Sequence, residues 1–181
     1  MQPAIKGRIE MENIVLIGMP GCGKSTVGVK LAQALDMSFI DTDDVIQARS
    51  GRKLQEMVDH DGIDRFLEEE ADAVCSLHVS GYVIATGGSV VYRERAMRHL
   101  HAAGIVLYLA LPYEEIERRI HNLSSRGIAL REGQTLRMLY DERIPLYEAQ
   151  ADVVVQAQGL EMEETVQAAL RACCEMRQSM V

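Results

Sequence analysis

The chain lacks three features that would indicate a membrane, nucleic-acid or extracellular protein. No uninterrupted apolar run approaches the roughly 20 residues of a membrane-spanning helix, and residues 1–12 contain no apolar segment typical of a secretory signal. The net charge of −8 argues against a nucleic-acid partner, because phosphate neutralisation needs a basic face. The four cysteines lack metal-ligand spacing and suit reduced thiols. We therefore expect a cytoplasmic protein without a membrane or nucleic-acid partner.

The length of the chain bounds its domain organisation. A chain of 181 residues can bury a substantial core within one compact domain, and two independent domains would each be small. We predict a single domain over residues 13–181, behind a poorly ordered leader over residues 1–12 in which Met11 is a candidate initiator. We expect this domain to act as a monomer.

Apolar runs alternate with helical stretches along the sequence. Continuous apolar runs are typical of parallel strands, because helices cover both faces of a parallel sheet. Five strands are predicted, at residues 14–17, 38–40, 82–85, 105–109 and 153–155. Helices are predicted at residues 25–35, 54–77, 93–102, 114–121, 136–150 and 162–176. This alternation predicts an α/β fold, with a five-stranded parallel sheet and helices on both of its faces.

The segment Gly18-Met19-Pro20-Gly21-Cys22-Gly23-Lys24-Ser25 matches the P-loop pattern between a predicted strand and a predicted helix. In a P-loop the glycines let backbone N–H groups turn toward phosphate oxygens, and the following helix adds its positive end. Lys24 would neutralise the β and γ phosphates, and Ser25 would bind Mg²⁺. A ligand-free glycine-rich turn is the alternative. We expect ATP and Mg²⁺ to be bound by Gly21, Cys22, Gly23, Lys24, Ser25 and Thr26.

Two further segments are candidates for a functional site. Asp41, Asp43 and Asp44 follow the second predicted strand, at the edge where open α/β sheets bind ligands. A carboxylate there can orient an attacking hydroxyl and accept its proton; capping of the next helix is the alternative, with Asp44 the better cap candidate.

Residues 122–134 are polar and contain two glycines, so we predict a mobile lid there.

Together these motifs resemble the shikimate kinase family. The resemblance covers nearly the whole chain and includes the P-loop, the Asp41-Thr42-Asp43 motif, the Gly87-Gly88 turn after the third strand, and basic residues in the lid and beyond. It implies a three-layer P-loop NTPase fold with a lid. It also implies ATP-dependent phosphorylation of a hydroxyl on a small metabolite, with conversion of shikimate to 3-phosphoshikimate as the expected reaction.

The resemblance implies roles for residues at the nucleotide. Asp41 would hold Mg²⁺ through water, together with Ser25. Arg119 would pack on the adenine face, since guanidinium groups stack well on aromatic rings. Arg126 would reach the transferring phosphate from the lid through charge-assisted hydrogen bonds.

At the acceptor, the resemblance assigns hydroxyl binding and proton removal to Asp43. Gly87 and Gly88 would let the backbone approach the acceptor closely, and Arg143 would bind its carboxylate. The catalytic residues implied in this way are Lys24, Asp43 and Arg126.

The sequence departs from the family pattern at two acceptor positions. The family's F-R-x-x-E motif appears with Phe66 and Glu70 in place, but Leu67 replaces its acceptor-binding arginine. Ser89 replaces the third glycine of the turn. Either another basic side chain compensates, or the acceptor is a different hydroxylated molecule such as a sugar acid or amino-acid alcohol. A shift of one residue, with Arg65 as the displaced arginine, is a further alternative.

Overall fold

The computed structural model describes residues 12–120 and 128–179, and the structural statements below concern these two ranges. Residues 1–11 of the predicted leader lie outside the described residues. So do residues 122–127 of the predicted lid, which include Arg126.

A five-stranded parallel sheet forms the middle layer of the molecule. Its strands are β1 Asn13–Ile17, β2 Ser38–Asp41, β3 Tyr82–Ala85, β4 Gly104–Ala110 and β5 Val153–Gln156. They lie in the order β2-β3-β1-β4-β5, and every pairing is parallel. All residues of the central β1 are buried, whereas the edge strand β2 is partly exposed. The five predicted strands are confirmed.

Helices cover both faces of this sheet. They are α1 Lys24–Ala34, α2 Thr42–Ser50, α3 Leu54–Asp61, α4 Ile63–Cys75, α5 Glu94–Ala103, α6 Tyr113–Arg119, α7 Leu136–Gln150 and α8 Met162–Ser179. A 3₁₀ turn spans Val90–Tyr92. The predicted three-layer α/β architecture is confirmed. Within the described ranges, no helix is both long and apolar enough to cross a membrane.

Two helix predictions were wrong. The helix predicted over residues 54–77 is two helices, α3 and α4, because the chain turns at Gly62 with a φ of 82°, which favours glycine. The second error is the omission of α2, which begins directly after the aspartate-rich segment. Its sequence is short and polar, with few apolar residues to mark one face, so the periodicity gave little signal.

The sheet topology brings three sequence motifs to one place. Strands β2, β3 and β1 are neighbours and run in the same direction. The segments that follow them therefore lie side by side at the carboxyl edge of the sheet, where open α/β folds bind ligands. These segments are the P-loop, the start of α2, and the turn over residues 86–89.

Candidate active site

A cleft of about 520 Å³ opens at this carboxyl edge. Ten residues of the predicted site line it: Gly21, Gly23, Lys24, Ser25, Thr26, Asp43, Gly87, Gly88, Arg119 and Arg143. Cys22 and Asp41 are not among its lining residues, and Arg126 is outside the described ranges. The fold thus gathers most of the predicted residues around a single space.

The P-loop adopts a conformation that depends on glycine. Gly21 has a φ of 78° and Gly23, which caps the start of α1, has a φ of 101°. Both values lie in the left-handed region, where a side chain would strain the backbone. Cys22 lies between them with its side chain buried, and its carbonyl accepts a hydrogen bond from Nη1 of Arg119 at 3.4 Å. Any contact of Cys22 with a nucleotide would therefore involve its backbone.

Lys24 is folded back over the loop. Its Nζ donates to the carbonyl oxygens of Gly18 at 2.8 Å and Met19 at 2.9 Å, and its side chain is largely buried. These carbonyls hold the ammonium group beside the cleft that Lys24 lines. A phosphate oxygen bound in the loop would give this ammonium a charged partner, which makes a stronger hydrogen bond than a neutral carbonyl.

Asp41 and Ser25 form a pair of oxygen donors at the end of β2. Oγ of Ser25 donates to Oδ2 of Asp41 at 2.5 Å. The other carboxylate oxygen of Asp41 accepts from the backbone N–H of Asp43 at 3.0 Å and caps α2. Asp41 is thus the helix cap, and the prediction that Asp44 was the better candidate is wrong. Asp41 has the extended backbone conformation that a cap residue needs.

The Ser25 and Asp41 oxygens fit Mg²⁺. In phosphate-binding sites Mg²⁺ uses one or two protein oxygens and takes its other ligands from phosphate and water. The described residues contain no group of three or more His, Cys, Asp or Glu residues that could hold a metal ion. The adjacent hydroxyl and carboxylate are hard oxygen donors of the type that Mg²⁺ prefers.

Asp43 has the electrostatic setting of a general base. Burial, together with the nearby Asp41 and Asp44 carboxylates, raises its pKa to about 6, while Lys24 acts in the opposite direction. The group is therefore mostly ionised at neutral pH. It is also a stronger base than an ordinary carboxylate, as proton transfer from a hydroxyl requires.

Glu70 lies near Asp43, beside Gly87, and was absent from the predicted site. It is buried and lines the cleft, and its Oε2 accepts a hydrogen bond from Oγ of Ser89 at 2.7 Å. Its other oxygen, Oε1, has no hydrogen-bond partner among the described residues. Burial raises the pKa of Glu70 to about 7, the Ser89 hydrogen bond lowers it, and Asp43 raises it. The only sequence signal was its spacing from Phe66.

The two residues after Thr86 must be glycine, because other side chains lie where a Cβ atom would be. An ideal Cβ placed on Gly87 would overlap Oε1 of Glu70 and lie 3.1 Å from Oδ1 of Asp43. A Cβ on Gly88 would lie 3.0 Å from Nη1 of Arg143. The turn therefore packs directly against three charged side chains of the cleft, and a side chain at either glycine would displace them.

Arg143 brings a buried cation to this end of the cleft. Only 1% of the residue is exposed. Its Nε donates to the hydroxyl of Tyr92 at 3.2 Å, and its Nη2 donates to the carbonyl of Ala129 at 3.3 Å. A planar guanidinium held in this way can bind a carboxylate through two parallel hydrogen bonds. Tyr92 was absent from the predicted site, because nothing in the local sequence pattern shows that it meets α7.

Leu67 packs inside the protein. It is 2% exposed and belongs to a small apolar cluster formed mainly by α2, α3 and α4. Leu67 is not a lining residue, whereas Leu54 and Phe66 supply apolar surface to the cleft. Arg65 is exposed and pairs with Glu69, so it does not replace the missing arginine. Leu67 therefore contributes neither a cation nor apolar surface to the cleft.

The chain is similar in sequence to shikimate kinases. The model of the shikimate kinase family matches residues 20–174. A shikimate kinase of Haemophilus influenzae is 36% identical over 151 residues, which are 81% of this chain and 83% of the relative. A shikimate kinase of Vibrio cholerae is 38% identical over 149 residues, which are 81% of this chain and 86% of the relative.

The fold agrees as well. A shikimate kinase from Acinetobacter baumannii, solved in complex with shikimate, superposes with a TM-score of 0.80 at 30% identity. The match covers 89% of this chain and 92% of that protein. The P-loop from residue 20 onward, the carboxylates after β2 and the glycine turn after β3 lie within the range that the family model matches. The chain therefore belongs to the shikimate kinase family and is a small-molecule kinase that transfers a phosphoryl group to an alcohol.

Proposed function

We propose that this kinase transfers the γ-phosphoryl group of ATP to a hydroxyl of shikimate and forms 3-phosphoshikimate. The observation that carries the proposal is the cleft itself, which places Lys24, Asp43 and Arg143 around one space. A phosphate-binding cation, a base and a carboxylate-binding cation are the groups that this reaction needs. The related kinase from Acinetobacter baumannii, which was solved with shikimate, supports the same acceptor.

At the nucleotide end, the P-loop backbone and Lys24 would bind the phosphates of ATP. Ser25 and Asp41 would hold Mg²⁺, which would neutralise the charge that develops on the phosphate oxygens. Arg119 lines the cleft and lies against the P-loop, so its partly exposed guanidinium can stack on the adenine ring. The role of Arg126 at the transferring phosphate stays a prediction.

At the acceptor end, Asp43 would accept the proton of the attacking hydroxyl. As the new oxygen–phosphorus bond forms, the bond from the γ phosphorus to the bridging oxygen of ADP breaks. The products are the phosphate ester, ADP and a protonated Asp43, which returns its proton to solvent. Its pKa of about 6 permits both steps near neutral pH. Arg143 would bind the carboxylate of shikimate, and Gly87 and Gly88 let Asp43 and Arg143 lie close to the turn.

A coupled assay of ADP release tests this proposal. Purified protein is incubated with ATP and Mg²⁺, and with shikimate, gluconate, homoserine or AMP in separate reactions. We expect rapid ADP release only in the reaction that contains shikimate, and mass spectrometry should detect the phosphorylated product of that reaction. Release of ADP with another acceptor but not with shikimate would contradict the proposal.

A second acceptor class is favoured by one observation, the burial of Leu67 where the family has an acceptor-binding arginine. In that case the acceptor is another hydroxylated molecule with no carboxylate at this point, such as a sugar acid or an amino-acid alcohol. The Leu67→Arg variant separates the two classes. Its guanidinium could pair with Oε1 of Glu70, three residues along α4.

For the second class, Leu67→Arg should lower the shikimate KM about tenfold through a new charge-assisted contact. For shikimate as the natural acceptor, the substitution should be neutral or harmful through crowding. The measurement is kcat/KM for shikimate and for two uncharged polyols in both forms. Efficient turnover of shikimate by the wild type would refute the second class.

The proposal includes a monomer that acts on small molecules in the cytoplasm, without a nucleic-acid or membrane partner. The net charge of −8 supports the absence of a nucleic-acid partner, because a polyanion would be repelled. Light scattering of the purified protein tests the oligomeric state, and a measured mass near 20.1 kDa is expected.

A further inference from the structure

Arg143 is held in place by an aromatic side chain that does not itself line the cleft. Tyr92 ends the 3₁₀ turn that follows the glycine turn after β3. Its hydroxyl accepts a hydrogen bond from Nε of Arg143 at 3.2 Å. The central carbon of the guanidinium lies over the Tyr92 ring, 5.1 Å from the ring centroid. The hydrogen bond and the ring face together restrict how the guanidinium can rotate.

The Tyr92 hydroxyl continues into a second interaction. It donates its own proton to Oε1 of Glu142 at 2.7 Å, since a phenol can accept and donate at the same time. Glu142 also accepts from Nη1 of Arg131 at 3.1 Å and from Nε2 of Gln134 at 2.8 Å. The Tyr92 hydrogen bond, with Arg131 and Gln134, holds the pKa of Glu142 below its ordinary value despite partial burial. An alternating chain of charged and polar groups therefore runs from Arg143 to residues 131–134.

The orientation of Arg143 matters because few cations face the acceptor. In the part of the chain that the structure describes, the cations that line the cleft are Lys24, Arg119 and Arg143. Lys24 and Arg119 contact the P-loop, whereas Arg143 lies against Gly88. Leu67 supplies no second cation. A carboxylate held by one guanidinium depends on the plane of that group, because two parallel hydrogen bonds form only when both planes align.

We propose that Tyr92 is a positioning residue for acceptor binding, which orients Arg143 toward the acceptor and links it through Glu142 to residues 131–134. The inference rests on the proposed function, because that function assigns the acceptor carboxylate to Arg143. Residues 131–134 are the described end of the predicted lid.

The Tyr92→Phe variant tests the proposal. It keeps the ring over the guanidinium but removes both hydrogen bonds of the hydroxyl. We expect the shikimate KM to rise about tenfold, since a hydrogen bond to a charged group is lost. The ATP KM and kcat should stay within about twofold of the wild type. An unchanged shikimate KM, or equal rises in both KM values, would overturn the proposal.

Tyr140→Phe is the matched control. Tyr140 lies on α7 as Arg143 does, but its hydroxyl donates to the carbonyl of Leu111 at 2.9 Å. This variant also loses one tyrosine hydroxyl from a half-buried position. Its shikimate KM should equal that of the wild type, and a rise similar to that of Tyr92→Phe would overturn the proposal by showing a general loss of packing.

A second measurement does not need turnover. The Nε–H proton of Arg143 can be observed by NMR and assigned by its loss in Arg143→Lys. Its exchange with water should be slow in the wild type and in Tyr140→Phe, and faster in Tyr92→Phe. Equal exchange in all three would overturn the proposal. If the wild type releases no ADP with shikimate, the proposed function fails, and the exchange rates still decide whether Tyr92 orients Arg143.

Discussion

The two ends of the cleft are built in different ways. The nucleotide end comes mostly from one continuous segment, residues 18–26, and its shape depends on backbone conformations at glycines. The acceptor end is assembled from side chains on α2, α4 and α7 and from the turn after β3. Its charged groups, Asp43, Glu70 and Arg143, are far apart in sequence and meet against Gly87 and Gly88.

This difference explains where the chain departs from its family. Phosphate binding by backbone N–H groups tolerates few changes, and the P-loop pattern is complete. Recognition by dispersed side chains can change one residue at a time. Two departures from the family pattern, Leu67 and Ser89, concern the acceptor end. The comparison predicts that substitutions at the two ends affect different kinetic constants.

The largest expected effect is at the acceptor end, in Asp43→Asn. This nearly isosteric change removes the base, so kcat should fall about a thousandfold, as for the loss of general-base catalysis. The ATP KM should change little. In the wild type, kcat/KM for the acceptor should rise with pH up to about 6 and then level off, because Asp43 must be ionised. Asp44→Asn, at an exposed neighbour, is the control and should retain activity.

At the nucleotide end, Lys24→Ala should lower kcat/KM for ATP by about a hundredfold or more, since a charge-stabilising donor is lost. ATP with Mg²⁺ should raise the melting temperature of the wild type but much less that of the variant. Lys30→Ala is the matched control, because Lys30 lies on the same helix and pairs with Glu163 away from the cleft. Unchanged turnover in Lys24→Ala would refute the P-loop assignment.

The third expected effect is on the stability of the protein and not on its catalysis, and it concerns Glu70. Folding raises the pKa of Glu70 from 4.5 to about 7, mainly by burial. The folded protein therefore keeps this proton longer than the unfolded chain, and stability is lost as pH rises from about 4.5 through 7. Glu70→Gln removes this loss, so its free energy of unfolding relative to the wild type should improve by about 2 to 3 kcal/mol between pH 5 and pH 8.

Urea unfolding at both pH values measures this difference. Glu69→Gln, on the same helix but partly exposed, is the control for removal of a carboxylate. A Glu70→Gln effect that is equal at pH 5 and pH 8 would show that Glu70 titrates as an ordinary carboxyl.

The smallest effect concerns Ser89, which donates to Glu70. Ser89→Ala should lower the free energy of unfolding by about 1 kcal/mol, as for the loss of one hydrogen bond. Because this bond lowers the pKa of Glu70, the pH-dependent loss of stability should also move to higher pH in the variant. Ser76→Ala removes a serine hydroxyl that donates to the carbonyl of Ala73 at the end of α4, and should leave that pH dependence unchanged.

Much of the fold was predictable because its signals are local. The apolar runs marked the five strands, most clearly β1, β3 and β4, where burial on both faces favours apolar residues. The helix over residues 54–77 was wrong because Gly62 has a backbone conformation that sequence periodicity does not reveal. Helix α2 was missed because its stability comes from the Asp41 cap and from packing, with little apolar periodicity of its own.

The sequence by itself determined the nucleotide end, because glycine, lysine and serine at fixed spacing in one segment dictate a phosphate-binding loop. Only the tertiary structure decided which side chains meet one another at the acceptor end. The contacts between Glu70 and Ser89, and between Tyr92 and Arg143, join residues that are 19 and 51 positions apart in the chain. Such contacts depend on how α4, the turn after β3 and α7 pack, and no local pattern specifies that packing.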